Sequence, residues 1–340
     1  MMKTRSSKTS THRSGPMGRV AATASLALIA ASVLISPAVA APEAAASKNG
    51  GPAAQCAVGR GVPASQISIQ MYSYWSWANQ IGTEGVLSEL SDIGYKNIEP
   101  FGATYEGRTA KEFSSLLKKY DLKAPSSHGS TDEATFGATV AYAKTIGQKY
   151  MGSGGSASPG IGTYENTLAT AETLNRLGKT SKKSGTGKIF VHNHQGEFTT
   201  QYVDPRTGET KSAWEILVEN TDPRYVTFQL DVFWAADAGI NIVDLIEEHG
   251  DRIELLHIKD GFLNGAGRGI PTDVGEGELD WAPILDAARG QVKYYVVERD
   301  GAPASREFAE DSFNFLTCNA DDDDRDRDRD RDDDRARARD

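Results

Sequence analysis

IELLHIKD, residues 253–260, opens apolar and closes on His257, Lys259 and Asp260. An apolar run of this kind suits a strand covered on both faces, and polar residues at its end suit a site that the strand delivers. The same grammar recurs on either side. YVTFQLDVFW (225–234) runs apolar and presents Asp231, and QVKYYVVERD (291–300) runs apolar and presents Glu298. Asp, His and Glu therefore stand at the C-terminal ends of three successive predicted strands.

Upstream, short apolar runs alternate with amphipathic ones. Strands are predicted at 67–72, 96–101 with Glu99, 122–128 ending in His128, 148–152, and 188–194 with His192 and His194. Helices are predicted at 83–93, 109–120, 131–146, 163–184, 212–220, 241–248, 280–288 and 305–316, with a Thr109/Glu112 capping box opening the second. An insertion at 199–211 reads as a hairpin, and 262–279 as a Gly-rich loop. Eight strand–helix alternations imply parallel strands with right-handed crossovers, and the fold class expected is a single-domain α/β (β/α)₈ TIM barrel. An open doubly wound sheet is disfavoured, because Ser73-Tyr74-Trp75-Ser76 follows the first strand where a dinucleotide fingerprint would stand. In a barrel the strand C-termini converge on one mouth, which turns scattered polar residues into one site.

Both ends of the 340-residue chain read as lying outside that fold. Residues 1–40 have a basic start, an apolar run and a Pro37-Ala38-Val39-Ala40 cleavage pattern, the layout of a secretory signal; the run is shorter than the roughly 20 residues a membrane span needs. Residues 41–65 read as a flexible leader, 66–318 as the barrel and 319–340 as a disordered Asp/Arg tail. The expectation is a secreted protein with no stable membrane insertion. Loss of the five cations in 1–40 takes the formal charge from −10 to −15, which argues against nucleic acid as partner. The two cysteines, Cys56 and Cys318, bracket the fold and suggest a disulfide joining its ends. A homo-oligomer is left open.

Of the six histidines, only His12 precedes position 41, and four of the other five sit at predicted strand ends. Mixed imidazole and carboxylate ligands suit Mn²⁺ first, with Zn²⁺, Co²⁺, Fe²⁺ or Mg²⁺ as alternatives, and without a sulfur cluster a structural zinc knot is excluded. The predicted ligands are Asp231, His257, Glu298 and one of His192 and His194, which alternate onto the same strand face; His192 is preferred as ligand and His194 as a substrate contact or base. Glu298 is the first candidate base, His194 and Glu197 the second, with Glu197 equally readable as a loop residue. Glu99, His128, Trp234, Lys259 and Asp260 are predicted to line the substrate pocket, where Trp75, Trp77 or Trp234 could stack on a sugar ring.

Taken together, LDVFW (230–234), LLHIKD (255–260), VGEGELDW (274–281), VVERD (296–300) and VHNHQGEF (191–198) resemble the xylose isomerase-like TIM barrels, the sugar phosphate isomerase/epimerase group, over about residues 66–317. That resemblance implies a Glu, Asp, His, Glu metal set on the fifth to eighth strands. Asp231, His257 and Glu298 match the last three, whereas His192 stands where many relatives carry Glu. The implied activity is proton abstraction beside a metal-bound carbonyl, giving isomerisation or epimerisation of a free sugar, keto-sugar or cyclitol. The His192 departure leaves room for a lyase of the inosose dehydratase kind. A non-catalytic sugar-binding protein is the reading of a different class. No basic cluster supports a phosphorylated substrate, and a glycosidase reading of Glu99 and Glu298 would leave the histidines unexplained.

Overall fold

The computed structural model describes residues 61–317 apart from Ala266. The predicted signal, most of the leader, both cysteines and the Asp/Arg tail lie outside the described residues. The part of the leader that is described is packed: Val62 is buried and its N–H donates to Leu316 O at 2.7 Å.

Six regular strands pair in parallel in the spatial order Ile67–Ile69, Tyr294–Val297, Ile253–Ile258, Val226–Asp231, Lys188–His192, Tyr150–Met151. The gap between the first and last of these is closed by two irregular segments. Gln70 bridges Glu99, Asn97 bridges Lys123, Phe101 bridges His128, and His128 bridges Gly152, all in parallel. Glu99 N donates to Ile69 O at 2.7 Å and Gly129 N to Gly152 O at 2.7 Å. The ring is therefore closed, as eight strand–helix alternations predict. The two segments stay irregular for a local reason. Each carries a proline, Pro100 or Pro125, which has no N–H for the ladder and serves only as acceptor, to His128 N at 3.0 Å and Tyr150 N at 3.0 Å respectively.

The outer helices start where their caps predict. Thr109 and Glu112 close a capping box on Ala110–Lys119, and Ser212 and Glu215 do so on Ala213–Asn220. The predicted insertion forms a hairpin, Gln201–Val203 against Thr210–Ser212. Some boundaries differ from the sequence reading: the strand predicted at 67–72 stops at Ile69. The helix predicted from 131 begins at Phe136, because the Asp132 carboxylate first closes a turn on Ala134 N at 2.9 Å. The strand of the 225–234 run ends at Asp231, as read from the sequence, and Asp231 Oδ1 accepts from Trp234 N at 3.0 Å and starts the helix Val232–Asp237. The Gly-rich loop holds a second hairpin, Asp260–Phe262 against Ile270–Thr272. Among the described residues no helix is long and apolar enough to cross a membrane.

Candidate active site

Side chains alternate along a strand, so the period of two sorts the Val226–Asp231 strand into two sets. Phe228 turns out to the helices and packs on Trp214 at 5.3 Å between ring centroids. Gln229 and Asp231 turn in. The same alternation brings in Glu99, His192, His257 and Lys259 from their own segments, all of them buried.

Glu99 is the hub of the interior. Its Oε1 accepts from Gln70 Nε2 at 2.7 Å and lies 2.9 Å from His257 Nε2 and 3.2 Å from His128 Nε2; its Oε2 accepts from Gln229 Nε2 at 2.8 Å. A carboxylate only accepts, so each of these partners must donate. The Gln229 amide is thereby fixed with Oε1 free to accept from His128 Nε2 at 2.8 Å and His192 Nδ1 at 3.1 Å. His192 is left with Nε2 as a lone pair, and His257 presents Nδ1 to the opposite side. Burial pushes the Glu99 carboxyl up, but the facing His128 and His257 outweigh it and hold it below its ordinary value.

On that opposite side, His257 Nδ1 lies 2.8 Å from Glu298 Oε2 and 4.0 Å from Asp231 Oδ2. One donor atom each from Asp231, His257 and Glu298 falls within 4.8 Å of the others. Asp231 Oδ2 is buried and receives no hydrogen bond, a costly state for a carboxylate oxygen. Its nearest charge is Lys259 Nζ at 3.2 Å, which also pairs with Glu298 Oε2 at 2.8 Å and Asp300 Oδ2 at 2.9 Å. Burial lowers the His257 pKa, but Glu298 and Glu99 together raise it to about 10. Burial raises Asp231, while Glu298, although buried, is held well below the usual range by Lys259 and His257. Burial beside the other imidazoles holds His192 neutral, far below 6.5.

This arrangement fits a divalent cation. It offers a buried carboxylate oxygen that receives no hydrogen bond among the described residues, although Lys259 Nζ lies 3.2 Å away, together with a second carboxylate and an imidazole nitrogen. The imidazole's other nitrogen is anchored on Glu99, the outer support that histidine ligands characteristically have. His192 belongs to a second triplet, with His128 and His257, rather than to the carboxylate-bearing one. The predicted four-membered ligand set is thus split, with His257 common to both halves.

Other predicted residues fall into place around this centre. A cavity of about 540 Å³ is lined by Tyr72, Phe101, His128, His192, His194, Glu298 and Asp300, among others. His128 and His194 therefore line this cavity. Trp234 stands beside the centre, with Lys259 Nζ 5.5 Å from its ring. Four expectations are corrected. Lys259 is buried against Asp231, Glu298 and Asp300 and does not line the pocket. Glu99 lies beneath the histidines and does not line the pocket. Glu197 is turned into its own loop, where it accepts from His194 N at 2.9 Å and Ser156 Oγ at 3.1 Å. Asp260 is buried and accepts from Gly261 N at 2.8 Å, Gly275 N at 2.9 Å and Trp281 Nε1 at 2.7 Å, so it orders the 262–279 loop instead of binding substrate. Gln70, Gln229 and Asp300 were missed. Gln229 was within reach, since it lies two residues before Asp231 and so shares its face.

The description "xylose isomerase-like TIM barrel" belongs to a family model that matches residues 87–317. An inosose dehydratase of Geobacillus thermodenitrificans is 28% identical, over 38% of this chain and 46% of its own length. One from Salmonella agona is 30% identical, over 34% of this chain and 39% of its own. The chain thus spans less than half the length of these curated relatives. Among solved structures, a sugar phosphate isomerase/epimerase from Parabacteroides distasonis superposes with a TM-score of 0.60 at 24% identity, covering 75% of this chain and 94% of that one. At such identities the likeness speaks for the fold.

Proposed function

The chain belongs to the xylose isomerase-like TIM barrel family, and from that membership we propose a metal-dependent enzyme that removes a carbon-bound proton next to a carbonyl of a sugar, keto-sugar or cyclitol. The observation that carries this reading is the buried, unbonded Asp231 Oδ2 facing His257 and Glu298. A divalent cation held by Asp231, His257 and Glu298 would act as Lewis acid on the substrate carbonyl.

The remaining chemistry falls to the side chains. Glu99 and Gln229 hold the imidazoles in fixed tautomers. Asp300, held by the buried Lys259 ammonium at 2.9 Å, offers its carboxylate to substrate oxygens on the pocket wall. His194, half-buried on the pocket wall, is the base or acid that moves the proton, since Glu298 is engaged by Lys259 and His257 and Glu197 points away. Return of the proton gives isomerisation or epimerisation. Loss of a β-hydroxyl gives elimination: the C–H electron pair becomes a C=C bond, the C–O bond breaks, and the hydroxyl takes a proton from an imidazole and leaves as water. The elimination is the better-supported outcome, because epimerisation by two carboxylates would need a second free carboxylate. Glu197, the nearest to the imidazoles in sequence, is committed to His194 N. The inosose dehydratase names of the sequence relatives lean the same way. The N-terminal signal pattern leads us to place the enzyme outside the cytoplasm, working on unphosphorylated substrate.

The test is incubation of the metal-loaded protein with free sugars, keto-sugars and inososes in D₂O. Deuterium exchange at carbon, or appearance of a dehydrated product, is expected, and both should vanish in His257→Ala together with bound metal. Full activity in chelator-treated, metal-free protein would refute the proposal.

A further inference from the structure

Large aromatic side chains rarely sit in contact with one another and with water unless something covers them. Trp75 is 51% exposed and Tyr72 46%. With half-buried Phe101 they form one group: ring centroids lie 6.2 Å apart for Tyr72–Trp75, 5.5 Å for Tyr72–Phe101 and 6.1 Å for Trp75–Phe101. The group stands on the rim of the candidate active site. Tyr72 and Phe101 line the 540 Å³ cavity that contains His128, His192 and Glu298. Tyr72 and Trp75 also line an adjoining hollow of about 310 Å³, whose other walls are Ser73, Ser76, Asn79, Gly301 and Ala302. The shelf is rigidly tied to the centre. Gln70 accepts from Tyr72 N at 3.1 Å through one amide atom and donates to Glu99 at 2.7 Å through the other.

We propose that the shelf formed by Tyr72, Trp75 and Phe101 is a second sugar subsite, so that the sugar unit held at the Asp231–His257–Glu298 centre is one end of a disaccharide or other neutral glycoside. This rests on the reading of the centre as a sugar site. The chemistry of the hollow selects the occupant. None of its lining residues is charged, although the chain as a whole is strongly acidic, so it suits a neutral group. A pyranose ring has an apolar C–H face, which stacks on an aromatic ring, and a hydroxylated edge, which the exposed Ser76 and Asn79 can bond. The Tyr72 ring borders both spaces, so two sugar rings joined by a glycosidic linkage would lie on either side of it. The larger neighbouring hollow of about 850 Å³ is lined by Asp132, Glu133, Glu172 and Arg176, which suits a charged group instead.

The experiment measures binding rather than turnover, so that it stands apart from the proposed reaction. Glucose, cellobiose, maltose and trehalose are titrated by calorimetry against the wild type, Trp75→Ala, Trp75→Phe and Arg176→Ala. At least one disaccharide should bind tenfold or more tightly than glucose. Trp75→Ala should remove that advantage while leaving glucose affinity within twofold, and Trp75→Phe should restore most of it. The proposal is overturned if no disaccharide gains over glucose, if Trp75→Ala weakens both alike, or if Arg176→Ala alone removes the gain. It is also overturned if Trp75→Ala converts a dimer to a monomer in sedimentation, since the shelf would then be covered by a second copy. Disaccharide binding without any carbon–deuterium exchange would keep the subsite and sink the proposed reaction. Exchange on free sugars with an inert Trp75→Ala would do the reverse.

Discussion

Glu99 stands directly behind His257: its Oε1 lies 2.9 Å from Nε2, while Nδ1 on the far side of the ring lies 2.8 Å from Glu298 Oε2. The ring is thus held by one carboxylate and aimed at another. Substituting Glu99→Gln keeps the shape but gives the hub an N–H where the network needs only acceptors. Outer carboxylates of this kind are worth 10- to 100-fold in metal affinity. Glu99→Gln should therefore weaken divalent metal binding by about that factor, read by competition with a chromophoric chelator, without touching the pocket lining.

Lys259 places one buried ammonium against both Asp231 and Glu298. Removing one partner of a buried ion pair typically costs about 3–5 kcal/mol, because the other charge stays behind. Lys259→Met should accordingly lower the melting temperature sharply in chelator. The carboxylates would then keep only His257 as a protein cation, so adding Mn²⁺ should raise the melting temperature by more in the variant than in the wild type. An equal rise in both proteins would show that metal and ammonium do not share these oxygens.

How much of this was legible before any coordinates follows from what each residue answers to. Asp231, His257 and Glu298 were readable because each ends an apolar run, and the barrel gathers all such ends at one mouth. Asp260 misled for the opposite reason. It is a polar residue at the right end of a strand, yet the loop beyond supplies backbone N–H groups that claim the carboxylate first. Glu197, read evenly as a base or a loop residue, is the loop residue, held by His194 N and Ser156 Oγ. No strand period encodes where a Gly-rich loop will fold back, so Gly275 and Trp281 could not be seen as the partners of Asp260. Gln70 was invisible because an amide at a strand end has no chemistry of its own until Glu99 is known to lie beside it. The eightfold alternation was legible even where Pro100 and Pro125 break the ladder, since burial and helix spacing survive the loss of a donor.

Asp237 offers a pH test away from the metal centre. Its carboxylate accepts from Asn264 N at 2.9 Å, Gly265 N at 2.7 Å and Gly267 N at 2.8 Å. Burial pushes its pKa up, but these N–H groups outweigh it and leave it lowered. A lowered folded pKa means that the unfolded loop binds a proton first. The stabilisation is therefore complete above the unfolded value of about 3.9 and is lost as pH falls through the folded value. Amide exchange at Asn264, Gly265 and Gly267 should accelerate on acidification below about pH 4, relative to the intrinsic rate. In Asp237→Asn exchange there should be faster at neutral pH and should lack that acid step.

Gly178 lies in the helix Tyr164–Lys183, where replacement by alanine ordinarily stabilises by about 1 kcal/mol. The packing here reverses the sign. A Cβ on Gly178 would come 2.4 Å from the carbonyl oxygen of Tyr225, a backbone atom just ahead of the strand that carries Gln229 and Asp231. That oxygen is not free to move away, because it accepts from Ile189 N at 2.9 Å in the neighbouring strand. To admit the methyl group the helix must lift from the barrel, and overpacking of this kind costs about 1–3 kcal/mol. Gly178→Ala should therefore unfold at lower urea concentration than the wild type with an unchanged m-value, and a midpoint at or above that of the wild type would mean that the helix has room to shift. Because the lift strains the strand behind Asp231, metal affinity should fall together with stability. In Lys179→Ala, at an exposed position on the same helix, both should stay close to the wild type.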